Sequence, residues 1–248
     1  MGDQLAWRKK FGVLAPSTNS IVEPDFNRMG VPGVTPLFSR IHIYDQDLST
    51  EAQMEKLRVQ LDESIDYAVD LVCTAEVDYM VMGMSAETFW GGKAGNDRFK
   101  SRVKERSGGL EVATGAEGCQ KVLNLYGAKS IAVVTPYQPN GDREVKNYFE
   151  EIGFEVRGLI GLKRPTAVSI AHTTEDELRD ALLELNETGA DALVQVGTNL
   201  SMVRLAAEAE RWLHKPVVAI NAATWWMALR DNGINDKLYG FGRMFEDF

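Results

Sequence analysis

Four short stretches of this chain place small polar or donor-bearing residues directly after apolar runs: Ser17-Thr18-Asn19, Met84-Ser85, Tyr137, and Gly197-Thr198-Asn199. Together they offer hydroxyls, amides and backbone N–H groups with no fixed positive charge among them. Such a set suits carboxylate oxygens, and it can hold the added charge of an enolate by oriented hydrogen bonds, as an oxyanion hole does. Ser, Thr and Asn are also common at strand ends and helix starts for purely local reasons. Repetition raises the group above that reading. Asp78-Tyr-Met-Val-Met-Gly-Met84-Ser-Ala and Asp191-Ala-Leu-Val-Gln-Val-Gly197-Thr-Asn each run from an acidic start, through a buried-strand pattern, to a small or polar exit.

Charged groups near these exits are few. Glu87 follows Ser85 by two residues, Lys93 lies in the same segment, and Lys163, Arg164 and His172 follow a later strand. A carboxylate in a half-closed cleft is desolvated toward neutrality and can then act as general acid or base, which makes Glu87 a candidate catalytic group beside Ser85 and Tyr137. The alternative is that Glu87 and Lys93 are solvated residues of a lid. Cys73 and Cys119 fall within helical patterns, and His42, His172 and His214 are far apart, with no CxxC and no HExxH. No metal site is expected. Gly91-Gly92 and Gly108-Gly109 have neither context of a phosphate-binding loop, so no nucleotide cofactor is expected either.

The elements that must carry these residues alternate. Strands are read at Phe11–Pro16, Thr35–Ile43, from Asp78, at Ser130–Pro136, at Phe154–Leu162, from Asp191, and at Pro216–Ile220. Helices are read at Thr50–Ala75, Arg98–Arg106, Thr114–Tyr126, Gly141–Ile152, Thr174–Glu187, Ser201–Leu213 and Ala222–Asp231. On the first of these, Met54, Leu57, Leu61, Ile65, Ala68 and Val72 step by three and four and form one stripe against a sheet. The segment from Glu87 to Asn96, with its Gly-Gly pair, reads as a loop over the site. Phe11-Gly-Val-Leu-Ala-Pro16 matches Ile131-Ala-Val-Val-Thr-Pro136 at nearly the offset that separates the Asp78 and Asp191 strands, so an internal duplication is the economical explanation. The expected fold is α/β: two pseudo-symmetric, Rossmann-like lobes, each a parallel sheet flanked by helices, with the site in the cleft between them. Residues 1–112 with 222–248 would form one lobe and 113–221 the other. The Trp225-Trp226 pair would pack between lobes.

The chain has 248 residues and a net charge of -9, which argues against binding nucleic acid through displaced counterions. No apolar run approaches the roughly 20 residues that span a bilayer, and the first ten residues lack the apolar core of a secretory signal. A cytoplasmic protein without membrane partners is expected, as a homodimer or higher homo-oligomer.

The phrases Gly12-Val-Leu-Ala-Pro-Ser-Thr-Asn19, Glu23-Pro-Asp-Phe26, Phe38-Ser-Arg-Ile41, Thr114-Gly-Ala116, Val134-Thr-Pro-Tyr137 and the Asp191–Asn199 stretch followed by Pro216-Val-Val resemble the aspartate/glutamate racemase superfamily. Within it the chain is most similar to the maleate cis-trans isomerase and arylmalonate decarboxylase branch, over nearly its whole length. The resemblance implies a small mono- or dicarboxylate bound between the lobes and no cofactor. It implies carboxylate binding by Asn19 and Tyr137, with further hydrogen bonds from Ser85, Thr198 and Asn199, and it sets Arg164 where the family places an asparagine against the second carboxylate, which an arginine could clamp with two hydrogen bonds. In the family a thiol from one or both lobes acts at the substrate carbon. Those positions are Met84 and Gly197 here, and neither can give or take a proton. The expectation is an isomerase with non-cysteine acid/base groups; the alternatives are a lyase or hydrolase on the same scaffold and a carboxylate-binding protein without catalysis.

Overall fold

The two acidic strand starts have one job, done twice. In the computed structural model, which describes residues 3–45, 47 and 50–248, Asp78 Oδ2 accepts the Lys10 N–H at 2.8 Å. Asp191 Oδ2 accepts the N–H groups of Lys129 and Ser130 at 2.9 and 2.8 Å. Each carboxylate thereby ties the start of its own strand to the start of the neighbouring central strand.

Those strands belong to two four-stranded sheets of the same parallel design. The first half runs β1 (Lys9–Pro16), α1 (Val22–Arg28), β2 (Val34–Ile41), α2 (Glu51–Cys73), β3 (Tyr79–Met82), α3 (Ala86–Phe89), α4 (Gly92–Arg106) and β4 (Val112–Ala113). The second runs α5 (Gly115–Leu125), β5 (Ser130–Thr135), α6 (Pro139–Glu151), β6 (Glu155–Gly161), α7 (Glu175–Asn186), β7 (Ala192–Gln195), α8 (Val203–Leu213), β8 (Val217–Ala219), α9 (Ile220–Asp231) and α10 (Arg243–Asp247). Sheet order is β2-β1-β3-β4 in one and β6-β5-β7-β8 in the other. In register, Leu14 faces Met82 and Val134 faces Gln195. Gly83 N–H then bonds the Leu14 carbonyl and Val196 N–H the Val134 carbonyl, so Met84 and Gly197 occupy equivalent places one residue further on.

Both sheets are covered on their faces by helices, which is why β1, β3, β5 and β7 read as continuous apolar runs. Leu61, Ile65, Ala68 and Val72 of α2 are buried as the stripe predicts; the side chains of Met54 and Leu57 lie outside the described residues. Thr50 and Gln53 close a capping box at the start of α2, and Thr174 and Glu177 do the same for α7. Trp225 of α9 stacks on Phe26 at 4.9 Å, meets Phe11 edge-on at 5.4 Å, and donates its indole N–H to the Met29 carbonyl at 2.9 Å. Among the described residues no helix is long and apolar enough to cross a membrane.

The expected loop at Glu87–Asn96 is instead two helices, α3 and α4, meeting at Gly91 and Gly92, whose φ angles are +73° and +64°. The two glycines supply a left-handed break between the helices. Three further elements, α1, β4 and α10, have no counterpart in the sequence reading because each is too short to show a period.

The Asp191 clamp generates a stability prediction. Its backbone hydrogen bonds hold the carboxyl below its ordinary value, so its contribution is present above pH 3.8 and is lost as pH falls through the lower folded value. Asp191→Ala should cost about 1 kcal/mol at pH 7, solvent exposure keeping the figure small, with the gap from wild type closing in acid. Urea unfolding at pH 7 and pH 3 measures it.

Candidate active site

Parallel strands deliver their carboxyl ends to one edge, and here two such edges face each other. Pro16 and Pro136, the exits of the two central strands, line a cavity of about 100 Å³ together with Thr18, Asn19, Met84, Ser85, Trp90, Tyr137, Arg164, Gly197, Thr198 and Asn199. The cavity is therefore where the rule for open α/β sheets locates a ligand. Ser17 and Glu87 are not among the lining residues. Ser17 Oγ turns away to bond both the N–H and the carbonyl of Ile43, at 3.1 and 3.3 Å. Glu87 sits half-buried in the first turn of α3.

The polar floor crosses the pseudo-twofold. Ser85 Oγ lies 2.6 Å from the Tyr137 hydroxyl and accepts the Thr198 N–H at 3.3 Å. Asn19 Nδ2 donates to Thr198 Oγ1 at 3.0 Å, while its Oδ1 accepts the N–H groups of Ile21 and Val22. One amide thus caps the entry to α1 and pins the opposite lobe. Asn199 is a brace: Oδ1 accepts the Ser20 N–H at 3.0 Å, and Nδ2 donates to the carbonyls of Ala167 and Thr18 at 2.9 and 3.4 Å. Of the expected carboxylate-binding groups, Ser85, Tyr137 and Thr198 face the cavity with donors to share, whereas Asn199 is committed to holding the lobes.

Burial raises the Tyr137 hydroxyl pKa well above its ordinary value, with Asp142 adding to the shift and the Ser85 hydrogen bond opposing it. At neutral pH it is a phenol, a donor. Trp90 stands edge-on to it at 6.3 Å. Met84 is buried and contributes a thioether wall. Gly197 has φ +110°, and a Cβ there would sit 2.6 Å from Pro136 Cδ. The backbone at Gly197 follows a path that a side chain does not fit.

Arg164 is the one cation of the described lining. Its Nη2 is ion-paired to Glu177, whose carboxyl is drawn down to about 2 by the Thr174 N–H and by Arg164 itself. Its Nε is buried with no hydrogen-bond partner, and the guanidinium borders this end of the cavity as a cation offset by Glu177. Lys93 pairs with Asp97 at 2.6 Å on α4, and Lys163 and His172 are exposed outside the lining. Cys73 and Cys119 are also outside it, and burial pushes both thiols up, away from the reactive thiolate form.

Sequence reasoning missed one polar link. Asn221 Nδ2 bonds both Asp25 Oδ2 at 2.8 Å and the Thr198 carbonyl at 3.0 Å. Its signal was an amide inside the apolar run Val217-Val-Ala-Ile-Asn-Ala-Ala223.

Comparison with known proteins places this geometry. The chain is 22% identical to a maleate isomerase from Alcaligenes faecalis and 24% identical to one from Nocardia farcinica (strain IFM 10152), in each case over 95% of both chains. It superposes with a TM-score of 0.86 on the Nocardia farcinica maleate cis-trans isomerase, solved as a cysteine-to-serine mutant with a covalently bound succinylcysteine intermediate, at 21% identity over 97% of this chain and 99% of that one. A liganded arylmalonate decarboxylase mutant in which one glycine becomes cysteine and one cysteine becomes serine gives a TM-score of 0.82 at 19% identity, over 97% and 100%. The family model for arylmalonate decarboxylase matches residues 32–245. With two matched sheets, a shared cleft and that model spanning nearly all of it, the chain belongs to the arylmalonate decarboxylase family.

Proposed function

We propose that this protein is a cofactor-independent enzyme acting on a small mono- or dicarboxylate through an enediolate, with Tyr137 and Ser85 in place of thiols. The observation that carries the reading is the meeting of Ser85 Oγ, the Tyr137 hydroxyl and the Thr198 N–H in a largely apolar cavity. These neutral groups form one fixed chain: the Thr198 N–H donates to Ser85 Oγ and the two hydroxyls share a hydrogen bond, which leaves one hydroxyl proton of the Ser85–Tyr137 pair for a substrate oxygen. They gain most when charge collects on the carboxylate oxygens, which is where the electron pair goes when a bond at the adjacent carbon breaks.

Loss of carbon dioxide from a malonate-type acid fits this set best. The C–C bond breaks heterolytically, its electron pair becomes the enediolate of the remaining carboxylate, and carbon dioxide leaves; no nucleophile and no base is required. The Tyr137 O–H then protonates the carbon, and the tyrosinate recovers its proton from solvent. Thr18, Asn19, Met84, Gly197 and Asn199 shape the remaining wall, and the Arg164 guanidinium, offset by Glu177, borders it.

Isomerisation is a second reading, favoured by the maleate isomerase names of the sequence relatives. The covalent succinylcysteine intermediate of the Nocardia farcinica enzyme needs a thiol, so in this chain the exchange would run through a proton lost and regained beside the carboxylate. Tyr137 and Ser85 are again the groups in reach.

In deuterated water, with malonates, maleate and 2-substituted succinates offered in turn, the protein should release carbon dioxide from a malonate and leave one deuteron on the α carbon. Tight binding without turnover of any acid would overturn the enzymatic reading and leave a binding protein. Tyr137→Phe should lower kcat by about 100-fold or more while KM changes little. Because burial raises the Tyr137 pKa, activity should show no loss attributable to its ionisation up to pH 9; a falling limb near neutrality that vanishes in Tyr137→Phe would contradict the assignment. Gly197→Cys should not create a working thiol: the positive φ and the Pro136 contact should cost about 1–3 kcal/mol, read as a lowered Tm with no gain in rate.

A further inference from the structure

Asp25 lies nowhere in the cavity lining, yet it is 3% exposed and joined to the floor through a single amide. Asn221 Nδ2 spends its two hydrogens on Asp25 Oδ2 and the Thr198 carbonyl, while Asn221 Oδ1 is buried without a partner. Thr198 sits at the cavity floor, held on both sides of its Cα: its N–H, in the 197–198 peptide, is directed at Ser85 Oγ, its carbonyl, in the 198–199 peptide, accepts from Asn221, and the Asn19 amide holds its side chain. The Asn221 amide is thus oriented by charge. An ionised Asp25 accepts and cannot donate, so it requires Nδ2, not Oδ1, to face it, and in that orientation Nδ2 also serves Thr198. A protonated Asp25 can donate, and the vacant Oδ1 is the acceptor beside it; turning the amide to meet that proton withdraws Nδ2 from the Thr198 carbonyl.

We propose that Asp25 is a positioning residue that, when ionised, holds the Thr198 peptide in place through Asn221, and releases it when protonated. Burial raises the Asp25 carboxyl to about 6, opposed by the Asn221 hydrogen bond and by Arg28. The charged groups around it are Arg28 on α1, whose Nη1 is 4.0 Å away, and Glu175 of α7 and Arg204 of α8, which share with Asp25 a groove on the outer side of the lobe junction. Glu175 and Arg204 pair with each other at 3.3 Å, and α9 presents the uncharged Asn221. The groove gives solvent protons a route that does not pass through the cavity. The inference depends on the proposed function only for what Thr198 does to a substrate, so its test reads the ligand-free protein as well.

In the ligand-free protein the Thr198 amide resonance should titrate with a midpoint near pH 6. It should become flat in Asp25→Asn, where the carboxamide oxygen still accepts from Asn221 but carries no proton to lose. In Asn221→Ser the Asp25 carboxyl should still titrate while the Thr198 amide no longer follows. Where a substrate is turned over, kcat should rise about tenfold between pH 5 and 7, with that limb absent in Asp25→Asn and KM nearly constant. A Thr198 amide that ignores pH in wild type, or one that keeps its midpoint in Asp25→Asn, overturns the proposal. Absence of turnover bears on the function alone and leaves the resonance test standing.

Discussion

The Thr198 N–H that reaches Ser85 Oγ is the interaction on which the site depends, because donor and acceptor come from strand exits of different sheets. Ser85 and Thr198 are themselves equivalents under the duplication, each three residues beyond its strand's last register pair. Two copies of one strand-and-exit unit, turned to face each other, bring like residues into contact at the axis. The rest of the fold keeps that contact in register: the Asp78 and Asp191 clamps fix where β3 and β7 begin, Asn19 and Asn199 sew the exits together, and Trp225 locks α9 against Phe11 and Phe26. A shift of one residue in either strand would exchange its inward and outward faces and remove the contact altogether.

The duplication is not exact where the chemistry lies. In the first half Gly83 makes the close approach to the neighbouring strand, a Cβ there falling 3.0 Å from the Leu14 carbonyl, and Met84 keeps an ordinary side chain. In the second half the tight position is Gly197 itself, pressed against Pro136. At these two matched exits the cavity wall is thus an inert thioether in one half and bare backbone in the other, and its polar groups are oxygen and nitrogen donors from the neighbouring residues.

Much of the fold was legible because it rests on local pattern. Acidic start, apolar run and small exit mark β3 and β7; the stripe marks α2, and the helices read at Thr50–Ala75 and Thr174–Glu187 end within a few residues of α2 and α7. The α3–α4 pair was misread since Gly91-Gly92, taken as a loop signal, serves as a corner between two helices. In the site, the strand exits pointed to Ser85, Tyr137 and Thr198, but they could not separate Thr18, which lines the cavity, from Ser17, which bonds Ile43. Adjacent residues at an exit point in different directions, and only the β2 side of the sheet decides which. The Asp25–Asn221 link was out of reach for a plainer reason: 196 residues separate its ends, and neither residue type at its position signals the other.

The neutrality of the cavity ties these features to function. A free cation at the floor would bind any carboxylate strongly in its ground state and gain little more as reaction proceeds. Here the one arginine is offset by Glu177, and the floor donors are a phenol kept protonated by burial, a serine hydroxyl and a peptide N–H. Neutral donors in an apolar setting hold a delocalised carboxylate modestly and an enediolate, with its extra charge on the same oxygens, far better. That difference, not the strength of either interaction, accelerates a reaction. It also explains why the donors are so heavily braced: a hydrogen bond that must strengthen during the reaction without moving its partners has to be in place beforehand.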